Sequence, residues 1–275
     1  MGSFRPKKSL GQHFLRDGNI ARNIVAAIGA RPEDVILEIG PGEGALTGLL
    51  AQTGSALVLV ELDARAAGVL RRLYGGEKIE ILQEDVLSTD LAAIAERHGT
   101  ALRIVGNIPY YITSPILFRI LDHRSMIRDA LLMMQKDVAR RLVAVPRTKE
   151  YGILSVFCTL FTDAELLFDV PPGVFYPKPR VMSSVIRLSI LRQSRYPLAD
   201  EAHFRRMVRA IFGKRRKTLR NSLGYFLDGA VPALPQDVDM GKRPEELSVE
   251  ELVGLSNALF SLGVGEPRER AHLHS

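Results

Sequence analysis

The residues best suited to chemistry are Asn107-Ile108-Pro109-Tyr110, directly after Gly106. A carboxamide accepts hydrogen bonds through its oxygen and donates them through its NH₂. Tyr110 adds a flat face, and Pro109 stiffens the turn. This set suits an exocyclic amine on a planar ring, such as a nucleobase, though it also makes an ordinary Asn-x-Pro turn. An apolar run, Leu102 to Val105, predicts a buried strand leading in, and Thr113 to Pro115 predicts a helix start leading out. Open α/β sheets bind ligands outside the carboxyl ends of their strands, which is where this turn falls.

The elements that would position it are strand–helix alternations. Asp34 to Gly40 predicts a strand running into Gly40-Pro41-Gly42-Glu43-Gly44, with a helix over Ala45 to Gln52. Glycines there permit a sharp turn and a close backbone approach beside a helix N-terminus. The strand Leu57 to Val60 ends in Glu61-Leu62-Asp63, about 20 residues past the glycines, where an acid accepts hydrogen bonds from ribose hydroxyls. Lys78 to Leu82 predicts a third strand ending near Asp85-Val86, with Asp85 placed for an adenine amino group or as a helix cap. Helices are predicted over Asn19 to Ile28, Leu91 to Arg97 and Pro115 to Leu121, and a fifth strand over Ala130 to Met134. Val156 to Val170 and Ser184 to Ile190 alternate as later strands. The pattern implies a mostly parallel sheet with an antiparallel edge.

Three further stretches could contribute. Phe4 to Leu15 is a basic arm followed by Leu10-Gly-Gln-His-Phe-Leu15, which could fold over a site or remain a solvated tail. Pro171 to Arg180 is proline-rich, predicting a stiff loop that holds Phe175 or Tyr176 exposed for stacking or packs it locally. Residues 203–227 predict a helical stretch, and 205–220 carry eight Lys/Arg and no acid. On one continuous helix Arg205, Arg209, Arg216 and Arg220 fall within roughly 60° of arc, with Val208, Ile211, Phe212 and Leu219 on a different side, although Gly213 could break it. Such a face suits phosphate contacts, with a merely solvated face as the alternative. Val249 to Leu262 predicts a last helix with a Ser248/Glu251 capping box.

Composition narrows the classes. The chain has 275 residues, 46% hydrophobic and 25% charged, with a net charge of +6. That predicts a globular protein with an ample core and makes a polyanionic partner plausible. The single cysteine, Cys158, lies in an apolar run and fits a buried thiol in a reducing, cytoplasmic setting. The longest apolar runs are too short to span a bilayer, no secretory h-region precedes them, and no Cys/His metal spacing occurs.

A glycine turn could serve a nicotinamide cofactor, but no lone His or Tyr-x-x-x-Lys set stands at the relevant strand ends. An amide, a carbonyl before a proline and aromatic rings suit methyl transfer from S-adenosylmethionine to an aromatic amine instead. A base inside a helix cannot reach such a pocket and must be swung out. With these residues the chain resembles the ribosomal RNA small-subunit adenine N6,N6-dimethyltransferases (KsgA/RsmA type). The matching motifs are Leu10 to Leu15, Glu38-Ile-Gly-Pro-Gly-Glu-Gly44, Glu61-Leu-Asp63, Glu84-Asp85, Asn107 to Tyr110, Gln135-Lys136, Pro171 to Phe175, and Phe212 to Leu223.

The resemblance implies a Rossmann-like methyltransferase fold with a seven-stranded sheet over 1–195 and a small all-α RNA- or ribosome-binding domain over 196–275. It implies S-adenosylmethionine as cofactor and S-adenosylhomocysteine as product. The substrate would be two adjacent adenosines in the 3′-terminal hairpin of small-subunit rRNA, in a late, pre-30S-like assembly intermediate. Cofactor contacts are expected at Gln12, His13, Leu15, Gly40, Gly42, Glu61, Leu62, Asp85, Val86 and Asn107. The base pocket is expected at Asn107, Ile108, Pro109, Tyr110 and Phe175. Position 13 is Asn or His among relatives, so His13 is expected to bond through a ring nitrogen or its backbone rather than act as a base. RNA contacts are expected at Lys7, Lys8, Arg209, Lys214, Arg215, Arg216, Lys217 and Arg220. No metal or membrane partner is expected, and the chain is expected to be monomeric. Related large-subunit rRNA methyltransferases and a non-catalytic assembly factor are the alternatives.

Overall fold

The computed structural model describes residues 6–7, 11–76, 78–227, 229, 231–232 and 238–265. Lys8 and the tail after Gly265 lie outside them. Two compact units are distinguished: one runs to Val143 and resumes at Phe161–Arg192, and the other joins Ala144–Leu160 to the residues from Gln193 onward.

The first unit is built on five parallel strands, β2 (Val35–Ile39), β3 (Ala56–Val60), β4 (Ile79–Leu82), β5 (Leu102–Asn107) and β6 (Ile127–Gln135). Two further strands, β7 (Thr162–Val170) and β9 (Ser183–Ile190), complete a seven-stranded sheet in the order β4-β3-β2-β5-β6-β9-β7, with β9 antiparallel to both its neighbours. The central strands are mostly apolar because helices cover both faces of a parallel sheet; Ile36, Leu37, Val58 and Leu59 are all fully buried. The chain steps from β2 outward to β3 and β4 and then returns to β5 on the other side of β2, which creates a switch point between β2 and β5.

Register brings the strand ends level. Ile39 pairs with Val60 and with Gly106, and Val60 pairs with Leu82. Gly40, Glu61, Gln83 and Asn107 therefore leave the sheet side by side. Helices α3 (Ala64–Tyr74), α4 (Leu91–His98) and α5 (Thr113–Asp122) fill crossovers, with α1 (Gly18–Ile28) before β2 and α6 (Lys136–Leu142) after β6; Asp17, Asp63 and Asp90 cap α1, α3 and α4 through their carboxylates. The helix after the glycines is short, α2 (Thr47–Leu50) followed by a 3₁₀ turn at Ala51–Thr53.

Two expectations are corrected here. Residues 156–161 are not strand: they belong to helix α7 (Ile153–Phe161), and β7 starts only at Thr162. A short continuous apolar run has no period that tells a buried helix from a buried strand. Nor is Pro171 to Arg180 loop throughout: Phe175–Tyr176 forms strand β8, antiparallel to β1 (Phe14–Leu15), and of the two aromatics it is Tyr176 that is exposed. Successive residues of a strand face opposite ways, so Phe175 is buried with Leu15 in the core while Tyr176 is 55% exposed.

The second unit is helical, with α7, α8 (Glu201–Phe212), α9 (Leu219–Leu227) and α10 (Val249–Ser261). Phe157 meets Phe204 edge-on, and the Tyr151 hydroxyl donates to the Leu247 carbonyl. Ser248 and Glu251 form the capping box of α10. The predicted 203–227 helix is broken at 213–218, so Arg205 and Arg209 ride on α8, Arg216 on the turn and Arg220 on α9, and no single helix face carries them. No described helix is long and apolar enough to cross a membrane.

At the amino end of the sheet, Arg103 is buried between two carboxylates. Its guanidinium donates to Asp34 at 2.8 Å and to Asp129 at 2.6 and 2.8 Å, and it closes the C-terminus of α1 through the Ile28 and Gly29 carbonyls. Burial pushes the Asp34 carboxyl up, but hydrogen bonds from Arg103 and the Arg31 N–H, with the charges of Arg103 and Arg128, bring it below its ordinary value. Arg103→Met takes the cation from Asp129 and leaves Asp34 with only Arg128 and the Arg31 N–H, and is expected to cost about 3 kcal/mol in urea unfolding. Adding Asp34→Asn and Asp129→Asn should recover part of that loss. No recovery would mean that Arg103 acts through packing alone.

Candidate functional site

At the level strand ends a cavity opens, lined from five directions. The arm contributes Gln12, His13 and Leu15, and the glycine turn contributes Gly40 and Gly42. Glu61 and Leu62 follow β3, Asp85 and Val86 follow β4, and Asn107, Ile108, Pro109 and Tyr110 follow β5. The structure thus gathers these predicted residues around one space. Phe175 is not among the lining residues.

The glycines have separate reasons. Gly40 has φ +61° and nothing within 4 Å of where a Cβ would be, so its backbone borders open space. At Gly42, with φ +58°, a Cβ would sit 2.8 Å from the Phe14 ring, so the arm lies directly on the turn. Glu61 braces the turn from the other side. One of its oxygens accepts the Gly42 N–H at 3.0 Å and the other accepts the Asp63 N–H at 2.8 Å. The Leu62 N–H is a third donor to this carboxylate, which leaves it acceptor capacity for one further hydroxyl.

The arm is held at several points. Buried Asp63 accepts from Arg65, from Gln12 Nε2 at 3.3 Å and from Lys7 Nζ at 3.4 Å. Hydrogen bonds from Arg65 lead in holding its carboxyl well below the usual carboxylate range. Lys7, expected at RNA, is engaged with this carboxylate in the first unit. The His13 carbonyl accepts Asn107 Nδ2 at 2.7 Å, and His13 Nδ1 lies 2.6 Å from the Pro177 carbonyl. The His13 and Tyr110 rings stack with centroids 5.4 Å apart and planes at 30°. The Tyr110 hydroxyl reaches Ser183 Oγ at 3.1 Å. With its amide nitrogen bound to the arm, Asn107 has its oxygen as the end left to accept a new donor. The Ile108 N–H is spent on Met133, which fixes the turn to β6. Asp85 accepts the Leu87 N–H at 2.9 Å, so it caps its own turn while lining the cavity.

Several lining residues are outside the predicted set, and two of them, Glu38 and Tyr111, carry polar groups and bear on the chemistry. Glu38 carried a signal, being an acid inside an apolar strand. Tyr111 is 55% exposed and packs near Gly11, where a Cβ would lie 3.1 Å from its ring. In the second unit Lys214, Arg216, Lys217, Arg209 and Arg220 are exposed, and Lys214 lies over the exposed Tyr225 ring at 4.9 Å. Arg215 is half-buried, paired with Glu245 and donating to the Lys149 carbonyl at 2.8 Å. Its first task is structural.

Comparison with known proteins gives consistent results. The family described as ribosomal RNA adenine dimethylase matches residues 3–260. The ribosomal RNA small subunit methyltransferase A of Chlorobium limicola is 47% identical over 251 residues, covering 90% of this chain and 91% of its own. That of Geobacter metallireducens is 42% identical over 267 residues, covering 94% and 97%. Among solved structures, a dimethyladenosine transferase from Plasmodium falciparum aligns with a TM-score of 0.75 at 24% identity, over 92% of this chain and 99% of its own. The 23S rRNA methyltransferase ErmE aligns with a TM-score of 0.64 at 28% identity, over 90% and 99%.

The cavity floor holds an unusual carboxyl. Burial raises Glu38 to about 8, offset in part by a 2.7 Å bond from the Thr47 hydroxyl and reinforced by the Glu61 charge. The unfolded chain releases this proton near pH 4.3 and the folded chain holds it, so folding loses stability as pH rises from there toward 8. The loss is on the order of several kcal/mol. Glu38→Gln keeps the acceptor and removes the titration. Its thermal midpoint should therefore fall less than that of the parent between pH 5 and pH 8, and parallel profiles would sink the assignment.

Proposed function

The chain belongs to the ribosomal RNA adenine dimethylase family, and on that footing we infer that it dimethylates N6 of two adjacent adenosines in the 3′-terminal hairpin of small-subunit rRNA, using S-adenosylmethionine. The observation that carries this reading is the bond from Asn107 Nδ2 to the His13 carbonyl, beside the stacked His13 and Tyr110 rings. It reserves the Asn107 oxygen for a donor next to a surface on which a base can lie.

The residues present fit the cofactor. Gly40 leaves free the space that a Cβ would occupy, and oriented Glu61 can accept from ribose hydroxyls. Asp85 and Val86 flank the place for an adenine. When bound, S-adenosylmethionine supplies an electrophilic sulfonium methyl. The chain supplies orientation. Asn107 Oδ1 and the Ile108 carbonyl accept from the target amine, drawing its lone pair out of ring conjugation, and Tyr110 holds the base flat. Alignment of this kind contributes through the entropy already lost on binding. Phe175 supports the pocket from behind, through its packing with Leu15.

In the second unit the exposed Arg209, Lys214, Arg216, Lys217 and Arg220 take phosphates. We assign the substrate to a late, pre-30S-like small-subunit assembly intermediate, with the chain acting as a monomer in the cytoplasm.

The direct test is transfer of labelled methyl to small subunits lacking these modifications, followed by nucleoside analysis. Dimethyladenosine at both positions is expected; label in large-subunit rRNA instead would favour the ErmE-like alternative. Asn107→Ala should lower turnover on the order of 10²-fold with subunit binding within a few fold. Equal loss of both would make Asn107 structural. Reversing Arg216 and Arg220 to Glu should weaken binding and flatten its dependence on salt, because fewer counterions are released. An unchanged salt slope would remove these residues from the interface.

A further inference from the structure

The loop after β8 is used at one end by the site, through the Pro177 carbonyl that His13 contacts at 2.6 Å. The rest of the loop faces outward. Tyr176 is 55% exposed, Lys178 and Arg180 are exposed, and Val181 and Met182 are 40% and 39% exposed. No acid occurs between Asp169 and Asp200. The Arg16 guanidinium lies 5.8 Å from the Tyr176 ring centroid and is itself tied to Glu43 of the glycine turn at 2.8 Å. The strand pairing of Phe14 with Tyr176 sets the ring on the side away from buried Phe175.

An exposed, rigidly mounted aromatic beside cations is what unpaired nucleic acid recognises. Bases stack on it regardless of sequence, and the cations take the phosphates. A single exposed aromatic needs no explanation by itself. This one sits one residue from the carbonyl that contacts the His13–Tyr110 stack, and it is held by a two-stranded pairing and an arginine.

We propose that Tyr176, with Arg16, Lys178 and Arg180, forms a subsite at the cavity rim. It stacks the unpaired nucleotide next to the adenosine being methylated and contacts its phosphates. The proposal rests on the rRNA-methyltransferase reading. It adds a positioning residue for the flanking nucleotide, separate from the ring that receives the target base.

The test uses the full chain, small ribosomal subunits lacking the methyls and labelled S-adenosylmethionine. Tyr176→Ala should lower kcat/KM for the subunit about tenfold, through KM for RNA, with KM for S-adenosylmethionine and the thermal midpoint unchanged. Tyr176→Phe keeps the π face and should stay within about twofold of the parent. Full activity in Tyr176→Ala overturns the subsite, and so does a Tyr176→Phe loss equal to that of alanine, which would point to the hydroxyl. A parent protein that methylates no RNA at all removes the functional reading itself, so the two failures are distinguishable.

Discussion

The cavity depends on a constraint of parallel pairing: strands joined by crossovers all end on the same side, and here they end at the same height. Because Ile39, Val60, Leu82 and Gly106 are laterally paired, the residues that follow them cannot avoid one another. Each must supply its own hydrogen bonds once the ladder stops. The glycine turn meets this need by giving the Gly42 N–H to Glu61, and the turn after β5 by giving the Ile108 N–H to Met133. The polar groups that line the cavity are thus partly the means by which the sheet closes its open end.

The arm completes the site by a different kind of bonding. Its strand contact is only two residue pairs long, β1 with β8, which is too little to hold by itself. Buried apolar contact through Phe14 and Leu15, and the charge of Asp63 facing Lys7 and Gln12, add to it. Asp63 also caps α3. One carboxylate therefore joins helix start and arm, and its second partner, Arg65, keeps it ionised.

Much of this was legible in the sequence, for physical reasons that differ by region. Long apolar strands bounded by glycine or an acid announce themselves, so β2, β3, β5 and the residues that follow them were placed correctly. Glu61 and Asn107 line the cavity because chain topology brings the carboxyl ends of these strands together. The failures share a cause, which is that their determinants are non-local. Nothing within Phe14–Leu15 or Phe175–Tyr176 announces a pairing between segments so far apart in sequence, and period alone could not make Ile153–Phe161 a helix. Gly213 marks a break that the sequence allows within the basic stretch, but not what holds the second helix: the Leu219 and Arg220 N–H groups are taken by the carbonyls of Lys242 and Met240. Arg215 counted as a free cation only because Glu245 lies 30 residues away. Grouping of Ala144–Leu160 with the second unit leaves no mark in composition either.

The Asn107 amide is held by a main-chain oxygen, and a main-chain oxygen is present whatever side chain the arm carries at that position. The orientation of the carboxamide is therefore insulated from drift at residue 13, where imidazole could give way to another side chain without turning the amide. Position 63 has no such freedom, since there the side chain itself makes every bond to the arm. Two residues that serve the same docking event thus face opposite degrees of mutational tolerance, set by whether backbone or side chain does the holding.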